Sequence, residues 1–375
     1  MSNSFGINPE NDRSNIGQQS AGDGGECPQP GLPKINQVRL GSLSVLPPLF
    51  QAPMAGYTNY AFRLLLRSLG GVGLLCTEMV SARGFLELDR RYQRLPERLW
   101  GVREEARPLA VQIWDNDPEK LALVAERLVE DFRISLLDIN FGCPAEQITK
   151  GAACGAYLLR HPEVIAKIVE EVVRRVAPVP VTAKIRLGWS DQEINAPEVA
   201  EAIEQAGGAA VFVHGRTAQQ KYRGTADWSR ISQVKRQVKR IPVIGNGDIR
   251  SARQALDALR VFGVDGVMIG RAGLSRPWIF REAAALLNNS VVPPEPTGEE
   301  QYELLATLYH QLEVQFGNVK AGILMRRFAS RFVVARKGAK RLRELIHTSS
   351  SRSGLLDLLR EFLLRGDIRS DRADA

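Results

Sequence analysis

An α/β barrel of eight strand–helix units, followed by a small all-helical domain, is the fold this sequence predicts. Three observations predict it. After Pro48, short apolar runs rich in strand-forming residues alternate with amphipathic stretches, and the alternation repeats eight times. The eight units occupy about 230 residues, the size of a TIM (β/α)8 barrel. A doubly wound sheet would be expected to carry a GxGxxG turn after its first strand, and none is present there.

Residues 1–36 lack both an apolar signal-peptide core and an Arg-rich amphipathic pattern, and a disordered tail is expected there, with Cys27 incidental. The barrel is placed at 37–285. Its strands are "FQAPM" near 50, "GLLCTEM" near 75, "LAVQI" near 111, "LLDINF" near 138, "VTAKIRL" near 184, "AVFVHG" near 212, "IPVIGNG" near 243 and "GVMIG" near 268. Between them, stretches such as Pro118 to Glu130 and Pro162 to Val176 repeat apolar residues at helical spacing. Residues 286–297, within "NNSVVPPEPTGEE", read as a proline-rich linker. Residues 298–367 show helical periodicity without strand signals, and 368–375 form a short tail.

Composition narrows the class. The chain has 375 residues, of which 44% are hydrophobic, enough to fill a sizeable core. Four cysteines without CxxC spacing argue against a structural metal site or a disulfide framework, so no metal and a reducing cytoplasm are expected. No apolar run reaches the roughly 20 residues that span a bilayer, and no membrane partner is expected. The net charge of +8 suits an anionic partner or serves solubility. Much of the positive charge is local: Leu324 to Thr348 holds eight Lys or Arg against one acid.

Strand C-termini line the active site of such a barrel, so polar groups there are the candidates. They are Pro53-Met54-Ala55, Glu78, Gln112, Asn140 with Cys143, Lys184 with Arg186, His214, Asn246-Gly247-Asp248 and Gly270-Arg271. The last two groups suggest a phosphate site, since glycines let backbone amides approach an anion and Arg271 adds charge-assisted hydrogen bonds. Lys184 is open to three readings: a Schiff-base lysine, a cation facing an electron-rich ring, or a salt-bridged strand-end residue. His214 could donate to phosphate or RNA, or simply be packed. Cys143 is either a small buried hydrophobe or a thiol placed at the mouth.

The ordered set "APMAGYTNYAFR", "LLCTEMVSA", "VQIWDNDP", "DINFGCPAEQITKGAACGAYLL", "VTAKIRLGW", "VFVHGRT" with "YRGTADW", "IPVIGNGDI" and "GVMIGRAGLSRPWIF" resembles the tRNA-dihydrouridine synthases, most closely their bacterial B-type branch. The resemblance implies reduction of the C5–C6 double bond of uridine in the tRNA D-loop, with FMN as cofactor and NADPH as reductant. It implies that Pro53, Met54 and Ala55 contact the flavin through backbone and small side chains, that Gln112 bonds the ring edge, and that Lys184 lies near its N1–C2 side. His214, Asn246, Gly247, Asp248, Gly270 and Arg271 would hold the ribityl chain and phosphate. Cys143 matches the proton donor, and Asn140 and Arg186 would meet the substrate. The tRNA backbone would be held by Arg326, Arg327, Arg331, Arg336, Lys337, Lys340, Arg341 and Arg343. A monomer is expected. Cys154 departs from the pattern, standing where a small non-thiol residue is more usual, so two thiols compete for one role. Two other readings use the same residues: an FMN barrel acting on a free pyrimidine, and a non-catalytic RNA-binding protein with the barrel as scaffold.

Overall fold

The computed structural model describes residues 37–334, 338–349 and 351–365. The tails expected at 1–36 and 368–375, with Cys27, Arg336 and Lys337, lie outside the described residues.

The first described element is a hairpin absent from the sequence expectation: β1 (Val38–Leu40) pairs antiparallel with β2 (Leu43–Val45) around Gly41. Its Val38, Leu40 and Val45 join the cluster that fills the barrel interior. Ser42 bonds the Pro178 carbonyl, and Gly41 packs on Pro180 and Ala209, which immediately precede two barrel strands. The hairpin therefore closes the N-terminal end of the barrel.

The barrel strands are β3 (Leu49–Gln51), β4 (Leu75–Cys76), β5 (Val80–Ser81), β6 (Leu109–Trp114), β7 (Leu136–Phe141), β8 (Val181–Arg186), β9 (Ala210–His214), β10 (Val243–Asn246) and β11 (Gly266–Ile269). All pair in parallel, in the order β3-β11-β10-β9-β8-β7-β6-β4, and a parallel bridge between Phe50 and Leu74 brings the ends together. All eight expected strand positions are occupied. The second is broken, because the Thr77 hydroxyl accepts the Gln112 amide, where an unbroken ladder would use a carbonyl. The chain resumes pairing with β6 only at β5.

Helices alternate with these strands: α1 (Tyr60–Leu69), α2 (Ala82–Tyr92), α3 (Pro118–Phe132), α4 (Glu146–Thr149), α5 (Pro162–Val176), α6 (Ala196–Gln205), α7 (Trp228–Gln237), α8 (Ala252–Phe262), α9 (Arg271–Ser275) and α10 (Ile279–Leu287). Local sequence sets their starts. Asn59, Ser81, Asp117, Asp227 and Ser251 each cap the following helix by accepting a backbone N–H, and Pro118 and Pro162 occupy first-turn positions where no donor is needed. In α3 the buried residues Leu121, Val124, Ala125, Leu128 and Phe132 form one stripe against the sheet.

The linker begins at Asn288, slightly later than the sequence suggested, because α10 runs on to Leu287. The helical region comprises α11 (Gly298–Phe332), interrupted at Gly317, then α12 (Ala339–Thr348) and α13 (Arg352–Arg365). Thr297 and Glu300 form a reciprocal capping box at its start, a device worth about 1 kcal/mol. The region packs onto the barrel through aromatic contacts between Phe62 and Phe328 and between Trp278 and Phe332, and Gln315 accepts the Ala61 amide. Beneath that junction lies the fully buried pair Arg63–Glu105. Arg63 also donates to the Thr58 carbonyl at 2.7 Å, fixing the loop that follows β3. Removing one partner of so buried a pair typically costs about 3–5 kcal/mol.

Candidate active site at the strand C-termini

Alternation along each strand puts every second side chain inside the barrel. Ala110, Leu136, Ala210, Phe212, Ile244 and Met268 fill its apolar lower interior. Further along these strands most inward positions turn polar. Gln112, Asp138 and Thr182 are register neighbours across β6, β7 and β8, followed by the pair Asn140 and Lys184, then by Arg186, His214 and Asn246 across β8, β9 and β10. The structure thus brings most of the expected strand-end residues to one mouth.

Positive charge concentrates on its β8–β11 side. Lys184 Nζ donates to Asn246 Oδ1 at 3.1 Å, and Asn246 Nδ2 is spent on the Met268 carbonyl at 2.8 Å. Burial, then the neighbouring Arg186, lowers the Lys184 ammonium to about 8. Burial likewise lowers Arg186 to about 10. Arg216 is 1% exposed and donates to the Arg223 and Gly224 carbonyls and to Asp248. Arg271 reaches the other Asp248 oxygen at 3.0 Å. Burial alone would raise the Asp248 carboxyl, but hydrogen bonds from Arg216 and the Ala226 amide and the two arginine charges hold it below its usual range. His214 is pushed well down by burial and then by Arg186, Lys184, Arg216 and Arg271, so its imidazole is neutral. Gly247 sits at φ 144, and a Cβ there would lie 2.4 Å from Ala226 Cβ, so the turn that brings its backbone to this mouth admits only glycine.

Beside it, after β7, lies the Cys143 turn. Asn140 Oδ1 accepts the Gly142 and Cys143 amides at 3.1 and 2.9 Å, Ala156 N–H binds the Cys143 carbonyl at 3.0 Å, and Arg186 Nε binds the Gly142 carbonyl at 2.8 Å. Gly155 permits this approach, since its φ is 60 and a Cβ would fall 2.8 Å from the Cys143 carbonyl oxygen. Burial raises the Cys143 thiol above its ordinary value, outweighing the Ala145 amide and the charges of Arg186 and Lys184. The thiol is therefore protonated at neutral pH. Cys154, by contrast, is 1% exposed, donates to the Ala152 carbonyl, and is pushed up to about 12 by burial and Asp115.

Other expected residues are placed less simply. Pro53 and Met54 are half-buried and Ala55 is exposed on the loop after β3. Both backbone groups of Met54 are used inside that loop, with Thr58 Oγ1 and with the Tyr57 and Thr58 amides, so its side chain, near Gly270, is what it offers outward. Gln112 bonds Asp138 and Asn140. Arg186 donates three bonds to the carbonyls of Gly142, Thr217 and Lys221, which makes it a brace between two loops.

The basic segment divides. Arg327 lies 5.3 Å from the centroid of the Tyr57 ring and Arg331 Nε bonds the Tyr57 hydroxyl, placing both beside the loop after β3. Lys340 and Arg341 are exposed on α12. Arg326 instead binds the Ser349 carbonyl and Arg343 the Ala339 carbonyl, so both serve the helical region internally.

Sequence reasoning passed over Arg216, Asp138 and Tyr222. Tyr222 is 59% exposed, with Arg271 and Arg186 at 5.1 and 5.7 Å from its ring centroid. Asp138 left a legible signal, a carboxylate inside an apolar strand. Arg216 left only its place after His214.

Four cations converge with a neutral imidazole and a glycine turn on four adjacent strand ends, and this donor set suits a cofactor bearing a phosphate. Among the described residues no cluster of three or more His, Cys, Asp or Glu is arranged to hold a metal, and no helix is long and apolar enough to cross a membrane. An α/β barrel with such a mouth and a protonated thiol beside it defines a cofactor-binding barrel enzyme. The family described as Dihydrouridine synthase (Dus) matches residues 50–365. tRNA-dihydrouridine synthase B of Xanthomonas campestris pv. campestris is 41% identical over 269 residues, 69% of this chain and 76% of its own. tRNA-dihydrouridine synthase B of Pseudomonas putida is 37% identical over 311 residues, 82% and 89% of the two chains. Morphinone reductase in complex with tetrahydroNAD shares the fold, with a TM-score of 0.50 at 14% identity over 77% of this chain and 97% of the other. The chain belongs to the dihydrouridine synthase family.

Proposed function

We propose that this protein reduces the C5–C6 double bond of uridine in the D-loop of tRNA, with FMN as cofactor, NADPH as reductant and Cys143 as proton donor. The observation that carries the reading is the pairing of a cationic strand-end cluster with a protonated thiol at one mouth.

In this reading Arg271, Gly247 and Gly270 hold the phosphate, with His214 donating as a neutral imidazole. Lys184 supplies positive charge beside the ring, and Asn246 orients its ammonium. When bound, the flavin would supply the hydride for C6 of the uracil. Cys143 holds a proton at Sγ for C5, and burial keeps that proton in place until a stronger base forms. Asn140 and Arg186 keep the Cys143 turn against the mouth. Turning a uridine out of folded RNA costs a few kcal/mol, which Arg327, Arg331, Lys340 and Arg341 offset through phosphate contacts. The reading places the enzyme in the cytoplasm as a monomer; the free thiols Cys76, Cys143 and Cys154 suit a reducing compartment.

The test supplies purified protein with FMN, NADPH and unmodified tRNA transcript and maps dihydrouridine by mass spectrometry. D-loop dihydrouridine that requires all three additions is the expected result. Reduction of free uracil or orotate with none of tRNA would overturn the reading.

A further inference from the structure

We infer that Asp138 is a positioning residue that orients the Cys143 turn through Gln112 and Asn140. The hydrogen bonds converge on Asp138 from two sides along neighbouring strands. Thr182 Oγ1 donates to Asp138 Oδ1 at 2.8 Å, and Gln112 Nε2 donates to Asp138 Oδ2 at 2.7 Å. Asn140 Nδ2 donates to Gln112 Oε1 at 2.9 Å, and Asn140 Oδ1 accepts the Gly142 and Cys143 amides.

Chemistry fixes the sense of this chain at both ends. An ionised carboxylate can only accept, so Gln112 must turn its NH2 toward Asp138 and its oxygen toward Asn140. Backbone amides can only donate, so Asn140 must turn its oxygen toward the Cys143 turn. Flipping either amide would set two NH2 groups or two oxygens against each other. Removal of the carboxylate leaves the Gln112 NH2 without its acceptor, so Gln112 is held at one end only and can swing, and the plane of Asn140 is no longer fixed through it.

Position supports the assignment. Asp138 is 2% exposed, and the cavity it lines is otherwise walled largely by apolar groups, among them Phe50, Leu136, Phe212 and Met268. An apolar side chain would pack that space more stably, because a buried charge is costly unless it is paired. The residue facing Asp138 from β6 is Gln112 and the residue facing it from β8 is Thr182, both used as donors. Lys184, one layer higher, is the neighbouring cation. A carboxylate serving only as its counter-ion would not need the aligned amides beyond it.

The catalytic consequence rests on the reading of Cys143 as proton donor, whereas the positioning does not, and the experiment separates them. Full-length wild type, Asp138→Ala, Asp138→Asn and Gln112→Leu are compared in two assays. One is the rate at which iodoacetamide alkylates Cys143, read by peptide mass mapping with Cys154 as internal reference. The other is single-turnover reduction of tRNA by enzyme whose flavin has been reduced with dithionite.

Asp138→Ala should change Cys143 alkylation severalfold with Cys154 unaffected, and should slow tRNA reduction about 100-fold, the scale of a misplaced reacting group. Asp138→Asn can still accept from Gln112 with its oxygen while its NH2 donates to the Thr182 hydroxyl, so it should rescue both readouts to within about tenfold of wild type. Gln112→Leu cuts the chain one link higher and should reproduce the alkylation change, which keeps the test decisive if Asp138→Ala fails to fold. Wild-type alkylation in both folded chain-breaking variants overturns the proposal, as does an Asn variant as impaired as the Ala variant. Full tRNA reduction by Cys143→Ala would sink the proton-donor reading alone, leaving the alkylation pattern to decide the positioning.

Discussion

Arg216 and Asp248 form a near-buried ion pair, Nη2 to Oδ2 at 2.7 Å, from which the cationic side of the mouth is built. Because Arg216 takes one carboxylate oxygen and Arg271 the other, Asp248 fixes both guanidinium groups while cancelling the charge of only one. Arg271, 48% exposed at its side chain, is the member left open to an anion. Asp248 thus orients two arginines at the mouth, which reconciles a carboxylate with the proposed phosphate site.

From this arrangement Arg271→Ala is expected to weaken FMN binding about 10- to 100-fold, the equivalent of one charge-assisted hydrogen bond. Fluorescence titration of the flavin-free protein measures it. Unchanged affinity would remove Arg271 from the phosphate site. Asp248→Ala should do more harm to the fold, since it leaves the Arg216 guanidinium buried without its counter-charge, at about 3–5 kcal/mol; urea unfolding of the same protein reads that difference.

The sequence legibly encodes the barrel because each inward stripe and each cap is local: Asp117 before Pro118, and the apolar alternation of "LLDINF", require no knowledge of the rest of the chain. What it hides depends on contacts between distant segments. Arg216 reads as a loop arginine until Asp248, 32 residues on, turns out to face it. The basic run reads as one face, yet Arg326 and Arg343 turn inward to cap carbonyls while Arg327 and Arg331 reach Tyr57. The hairpin at Val38–Val45 was missed because three-residue strands around a glycine give too short an alternation to count.

Lys184 gives a pH signature with a definite sign. Its ammonium, lowered to about 8 by burial and Arg186, is a cation below that pH and neutral above it. Flavin reduction by NADPH should therefore slow as pH rises through about 8, and Lys184→Met should abolish that limb. For stability the sign is opposite: between about 8 and the ordinary lysine value of 10.5 the unfolded chain binds more protons than the folded one, so this residue makes stability rise with pH. Flavin-free Lys184→Met should accordingly be more stable than wild type at pH 7, by on the order of 3 kcal/mol, with the gap narrowing toward pH 10. A gap that widens with pH would show that Lys184 is stabilised by its site.

The divided basic segment predicts two kinds of variant. Lys340→Ala with Arg341→Ala should weaken tRNA binding and flatten its dependence on salt by up to about two units of slope, because exposed cations act by displacing counterions. Flavin reduction should be unaffected. Arg326→Ala should instead lower the melting temperature of the helical region, since it loses a bond to the Ser349 carbonyl. Equal salt slopes for wild type and the double variant would move the RNA contact off α12.

The two thiols of one loop give the sharpest contrast. Cys143 stands on a turn braced by Asn140, Ala156 and Arg186, protonated and half-buried, whereas Cys154 is buried and bonded to the Ala152 carbonyl. Cys143→Ala should still bind FMN and accept electrons from NADPH, yet lose about 100- to 10,000-fold in turnover on tRNA, the usual worth of one general acid. Cys154→Ala should keep that turnover and lose modestly in stability, as deletion of a small buried side-chain group does. Because the Cys143 thiol lies above its ordinary value, the single-turnover rate at which enzyme with already reduced flavin acts on tRNA should hold through neutral pH and fall where the thiol ionises. If Cys154→Ala abolishes reduction while Cys143→Ala preserves it, the acid is the buried thiol, and the turn at Asn140 serves some other end.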